Sequence, residues 1–158
     1  MERVKRVIFI QIGTEVFTVE IDQIKRFVDK AEISGLSDKG DGLNRIGMIC
    51  LYDEVIPVLD LHRWFGQKPM NLCKNTIFAV MMFGGKSFAF PISAVIGSCE
   101  VSDECFYAVP AVFEKESRKA FREVVDWNGK LYLKICGETI LRAMMTNTQV
   151  MELWENTD

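Results

Sequence analysis

Gly13, Phe17, Ile21 and Ile24 recur 71 residues later as Gly84, Phe88, Ile92 and Val95. Further on, Met48-Ile49, Leu51 and Val55 recur at an offset of 76 as Val124-Val125, Trp127 and Leu131. Turns repeat along with apolar faces: Gly13-Thr14-Glu15 matches Gly84-Gly85-Lys86, and Asn128-Gly129 falls where Tyr52-Asp53 stood. The growth in offset places a longer middle loop within residues 99–122. This internal duplication constrains the fold more than any single motif. Each half is too short to bury a full core alone, so the two must pack together.

Alternation and turn residues predict strands over 7–12, 16–21, 46–51, 55–59, 77–83 and 87–92. Residues 29–45 thin in apolar content around Gly35, Gly40 and Gly42 and read as a loop; 66–75, with Pro69, reads as a linker. Many short strands, twice over, indicate a mainly β protein of two small barrels rather than a βαβ fold. A single domain over 1–158 is expected, with lobes at about 7–66 and 77–137. Ile140-Leu141, Met144-Met145, Met151 and Trp154 approximate one helical face, which predicts a C-terminal helix over about 138–154 covering an open end or seam.

Composition narrows the functional classes. Hydrophobic residues make up 49% of the chain, far above what a disordered regulator carries. A net charge of -3 with mixed signs leaves no basic stripe, which disfavours nucleic-acid binding. Five cysteines without regular spacing fit a reducing cytosol better than a disulfide framework. The apolar run after the basic start is too short and polar for a signal-peptide core, and 77–83 is too short to span a bilayer. These readings together predict a soluble cytoplasmic protein.

The stretch Glu54 to Gly66, EVIPVLDLHRWFG, holds the chain's one histidine two residues from a carboxylate. Asp60 and His62 could serve as acid and base, or His62 could serve a cysteine as base. The stretch is explained without chemistry, however. Pro57 suits an edge strand or bulge, Asp60 caps a short turn over 61–65, and Gly66 ends it. Trp64 and Phe65 then pack back on the barrel, and side chains at i and i+2 diverge in a helical turn. Gly84-Gly85-Lys86 is a hairpin turn before it is a phosphate cradle. No nucleophile elbow, P-loop or zinc-protease motif occurs, and Cys99 and Cys105 lack zinc spacing, so no catalytic residue, cofactor or metal is expected. Two rivals from other classes remain: a Cys–His hydrolase using His62, and an SH3-like barrel binding a small ligand or nucleic acid through Trp127 and Tyr132.

In this order the elements resemble the CheW-like domain of bacterial chemotaxis signalling. The resemblance rests on GTEVFTVEIDQIKRF, IGMICLYDEVIPVLDLHRWFG, IFAVMMFGGKSFAFPISAVIG and VDWNGKLYLKICGETIL, about residues 7–142. It implies two five-stranded SH3-like barrels sharing a hydrophobic core. It also implies a non-catalytic adaptor that ties the regulatory domain of a CheA-type histidine kinase to the cytoplasmic tip of chemoreceptors. By position, the resemblance implies partner contacts at Ile24, Arg26, Gly47, Tyr52 and Asp53: Ile24 and Arg26 fall at the first-barrel edge where family members contact partners, and Gly47 matches a glycine opening the third strand. Tyr52-Asp53 stands where the family has Arg-Gly, a departure from a bidentate cation, and residues 32–45 lack the family's prolines. The alternative implied is a divergent scaffold for another two-component pathway without receptor contact.

Overall fold

A computed structural model describes residues 3–31, 33–34, 45–64, 72–73, 75–109 and 121–140. Twelve strands are described: β1 (Val4–Ile12), β2 (Glu15–Glu20), β3 (Ile24–Val28), β4 (Ile33–Ser34), β5 (Arg45–Leu51), β6 (Glu54–Leu59), β7 (Ile77–Phe83), β8 (Lys86–Ile92), β9 (Ala94–Ser102), β10 (Phe106–Ala108), β11 (Glu123–Trp127) and β12 (Lys130–Leu133). One helical turn, α1 (Leu61–Trp64), follows β6, and 3-10 turns follow β2 and β9. Residues 137–140 begin a helix. The remainder of the helix expected to 154, and Phe65 and Gly66, lie outside the described residues.

The turns form where the repeat placed them. Gly13 and Gly84 both take positive φ, at 64° and 59°. Tyr52-Asp53 and Asn128-Gly129 each have two consecutive positive φ values, as a type I′ hairpin requires. The match at an offset of 76 is therefore one of backbone geometry as well as sequence.

The sheets do not follow the two sequence halves. A six-stranded sheet runs β3-β7-β8-β6-β5-β4, and a three-stranded sheet runs β2-β1-β9. A third sheet, β10-β11-β12, meets β2 where Thr18 bridges Lys134 and the Ile135 N–H donates to the Thr18 carbonyl at 2.8 Å. Hairpin β7–β8 thus sits among β3–β6, and hairpin β1–β2 sits beside β9–β12. The expected division between 66 and 77 runs through the six-stranded sheet. The result is two SH3-like lobes that exchange their first hairpins.

Exchange explains the composition of those hairpins. Ile8, Ile10, Ile12, Phe17 and Val19 from one, with Ala79, Met81, Phe88, Phe90 and Ile92 from the other, form the core shared by the lobes. The alternate positions face their own barrels: Val7 and Phe9 in one, Phe78, Val80 and Ala89 in the other. Strands buried on both faces read as continuous apolar runs, which is what VIFI and IFAVMM are.

Strand β9 was not among the sequence expectations. Its run AVIGSCEVS is long and exposed, and it pairs only with β1 among the described residues. Exposure on both sides removes the alternation that would have marked it.

The second barrel closes on charge. The Lys134 ammonium, buried, donates to Glu123 at 2.6 Å and lies 3.5 Å from Glu20, which also pairs Lys5 at 3.2 Å. Both ammonium groups sit over the Phe106 ring, at 5.0 and 5.3 Å. Four strands and the segment after β12 meet here.

Lys134→Ala leaves two carboxylates facing a partly buried ring. Its expected cost is about 2–3 kcal/mol, between the ~1 of an exposed pair and the ~3–5 of a buried one. Arg6→Ala, which breaks an exposed 3.9 Å contact with Glu100, should change stability by less than about 0.5 kcal/mol. Urea denaturation measures both, and equal effects would show that the network does not close the barrel.

Candidate functional site

A bulge in β3 sets the direction of its side chains. Ile24 opposes Met81 and Arg26 opposes Val80, so Lys25 is an extra residue. A bulge reverses the alternation that follows it. Ile24 consequently packs with Met81 on the shared core, while Arg26 pairs with a residue of the first-barrel interior, at that barrel's end.

The β5–β6 hairpin comes up beside it. Tyr52 is 85% exposed at the turn, and the Arg26 guanidinium lies 4.9 Å from its ring centroid, a cation–π contact. Lys25 donates to Glu54 at 2.8 Å. That hydrogen bond holds the Glu54 carboxyl below its ordinary range, against partial burial, which acts the other way. Lys25, Arg26, Tyr52 and Glu54 rim a shallow pocket of about 210 Å³ with Leu51 and Ile56 in its lining. Ile56 belongs to the barrel core, so the pocket is the mouth of the first barrel.

Of the five residues expected to contact partners, the fold brings together Arg26, Tyr52 and the adjoining Asp53. Ile24 is turned into the shared core. Gly47 is buried in β5 opposite Val58 and does not lie on an accessible edge. Lys25, Glu54, Leu51 and Ile56 complete the mouth and were not singled out from sequence. The Lys25–Glu54 pair spans 29 residues and has no local signal.

A second surface also went unmarked by the sequence. Val95 and Ile96 on β9 are 43% and 57% exposed. Ile96 is the extra residue of a bulge opposite Phe9 and Ile10, and Gly97 meets nothing within 4 Å of where a Cβ would stand. Edge strands are commonly guarded by charge; β3 carries Lys25 and Arg26, whereas β9 carries only Glu100.

Asp60 and His62 are both buried where β6 meets α1. The His62 Nδ1 lies 3.8 Å from the Asp60 carboxylate, beyond hydrogen-bond range, and has no hydrogen bond among the described residues. Burial pushes the imidazole below its ordinary pKa, and the Asp60 charge opposes that shift. The pair is enclosed. Trp127 and Tyr132 pack against the second-barrel core, where Tyr132 meets Phe9 edge-on at 5.1 Å. No helix among the described residues is long and apolar enough to cross a membrane.

Two SH3-like barrels with exchanged hairpins, an open polar mouth and an exposed strand edge define a double-barrel β protein by class. The chain belongs to the CheW-like domain family, whose model matches residues 6–144; the family comprises chemotaxis scaffold and adaptor proteins. The crystal structure of the scaffolding protein TtCheW from Thermoanaerobacter tengcongensis superposes with a TM-score of 0.71 at 17% identity, covering 86% of this chain and 90% of that one. That likeness concerns the fold. A search of curated proteins gives no match.

Two expectations follow from this geometry. Asp53 sits at φ 68°, a conformation glycine adopts without strain, so Asp53→Gly should stabilise the fold by about 0.5–1 kcal/mol in chemical denaturation. No gain would show that the aspartate side chain offsets the strain. For His62, the unfolded imidazole takes its proton near pH 6.5 and the folded one at lower pH. The unfolded state therefore binds more protons below that value, and stability, complete above it, declines as pH falls through it. Denaturation midpoints between pH 7.5 and 5.5 should fall less in His62→Gln than in the parent; identical slopes would exclude the imidazole as their source.

Proposed function

We propose that the protein is a non-catalytic adaptor, joining the regulatory domain of a CheA-type histidine kinase to the cytoplasmic tips of chemoreceptors. Its output is geometry: partners are held at fixed separation so that a receptor signal alters kinase autophosphorylation. It works in the cytoplasm and needs no cofactor. The observation that carries this reading is the presence, on one double barrel of this family, of two separate exposed surfaces. These are the β9 edge with Val95 and Ile96, and the mouth with Arg26 and Tyr52. An adaptor needs two such surfaces, and an enzyme would need an accessible reactive group, which buried His62 does not offer.

The kinase regulatory domain docks on β9. A nine-residue edge with exposed aliphatic side chains and one charge suits strand-edge pairing with a second barrel. Gly47, which the family resemblance placed at the first-barrel edge beside Ile24, is buried in β5. The mouth takes the remaining partner. One feature favours a second reading, a scaffold serving another two-component pathway without receptor contact. At the hairpin the family's Arg-Gly is replaced by Tyr52-Asp53, and the cation at this mouth comes from Arg26 on β3 instead.

Retention of a purified kinase regulatory domain and of a receptor tip on immobilised protein tests the proposal. Ile96→Asp leaves the folded core untouched and places a carboxylate in the docking edge, so kinase affinity should drop about tenfold or more, equivalent to ~1.4 kcal/mol. Unchanged affinity would move the kinase off β9. Retention of the kinase but not the receptor selects the second reading, and retention of neither removes the adaptor role.

A further inference from the structure

We infer that the mouth of the first barrel is a docking pocket for a protein segment that presents a carboxylate beside one aliphatic side chain. The two rim cations are not equivalent. Lys25 is neutralised by Glu54 at 2.8 Å. Arg26 makes no ion pair within 4 Å among the described residues, and its guanidinium is held against the Tyr52 ring. That contact gives the guanidinium no carboxylate partner, so its N–H fork, the part that reads carboxylates two bonds at a time, is available. Holding it in place beforehand reduces the side-chain ordering that binding would otherwise cost. Asp53, next in the turn, makes no ion pair with it among the described residues.

The rest of the mouth sets the second half of the ligand. Leu51 and Ile56 line it from the barrel core, and Tyr52 adds an exposed apolar ring. At about 210 Å³ it falls below the ~300–1,000 Å³ of pockets that enclose small molecules. It has room for one aliphatic side chain, with a charge at the rim. With Lys25 paired to Glu54, the Arg26 N–H fork, which makes no ion pair within 4 Å among the described residues, sorts partners: an acidic neighbour is attracted and a basic one is repelled. The inference rests on the adaptor reading only in taking the occupant to be a protein segment.

The probe is the peptide acetyl-Ala-Leu-Glu-Ala-amide, titrated into the isotopically labelled full chain and followed by amide and methyl NMR. Saturable shifts at Lys25, Arg26, Leu51, Tyr52 and Ile56 are expected. Replacing the peptide's glutamate by lysine, or its leucine by serine, should weaken binding at least tenfold. Arg26→Gln and Tyr52→Ser alter exposed side chains, and their unperturbed spectra elsewhere report that each variant is folded. Both should weaken the parent peptide at least fivefold. Absent shifts at the mouth, equal response to all three peptides, or full binding by Arg26→Gln overturns the inference, whether or not the kinase domain is retained. If the peptide response is intact but neither kinase nor receptor is retained, the adaptor reading fails and the pocket stands.

Discussion

Everything in this molecule depends on two hairpins being apolar on both faces. β1–β2 and β7–β8 lie between the lobes, each giving one face to the shared core and the other to a barrel. Phe17, Phe88 and Phe90 fill the shared layer, and Phe121 stacks on Phe17 at 5.6 Å. Because each hairpin is hydrogen-bonded in one barrel and packed against the other, neither lobe has a complete core without its neighbour. The separation of the outer surfaces is then fixed by close packing, which deforms little. For a scaffold, that rigidity is the useful property.

Around this layer, polar groups decide local closure. The second barrel gathers Lys5, Glu20, Glu123 and Lys134 about Phe106, so charges satisfy one another where the sheets join. The first barrel ends instead in an open mouth, where Lys25 and Glu54 pair and Arg26 rests on Tyr52. The corresponding hairpin of the second barrel turns at Asn128-Gly129, and there the Lys130 ammonium lies 5.7 Å from the Tyr132 ring, a contact made within one strand. Duplicated frameworks therefore carry ends of different composition.

Gly137 shows how tightly the C-terminal segment is tied to the same framework. Its N–H donates to the Gln23 side chain at 3.0 Å, and a Cβ there would stand 3.3 Å from Phe83. Ile140, three residues on, is buried in the shared core. The helical turn over 137–140 thereby locks β7 to the 3-10 turn after β2, joining both exchanged hairpins.

Local sequence determined the turns, the strand faces and the family. Gly13, Gly84 and Asn128-Gly129 specify backbone conformations by their own stereochemistry, and alternation in 16–21 and 46–51 specifies a buried face. The same local rules read Asp60 as the cap of the turn that carries His62, and both side chains are buried where β6 meets α1. What they could not determine is which strand lies beside which. Alternation states that a face is buried but not against what, so lobes drawn as contiguous halves missed the exchange of hairpins. The bulge that turns Ile24 inward and Arg26 toward the mouth depends on the register with β7, some fifty residues away. For the same reason, tertiary structure alone brought Arg26 to Tyr52, buried Gly47 and left β9 exposed. Turn conformations are set by interactions within a few residues, whereas docking surfaces are set by pairings across the chain.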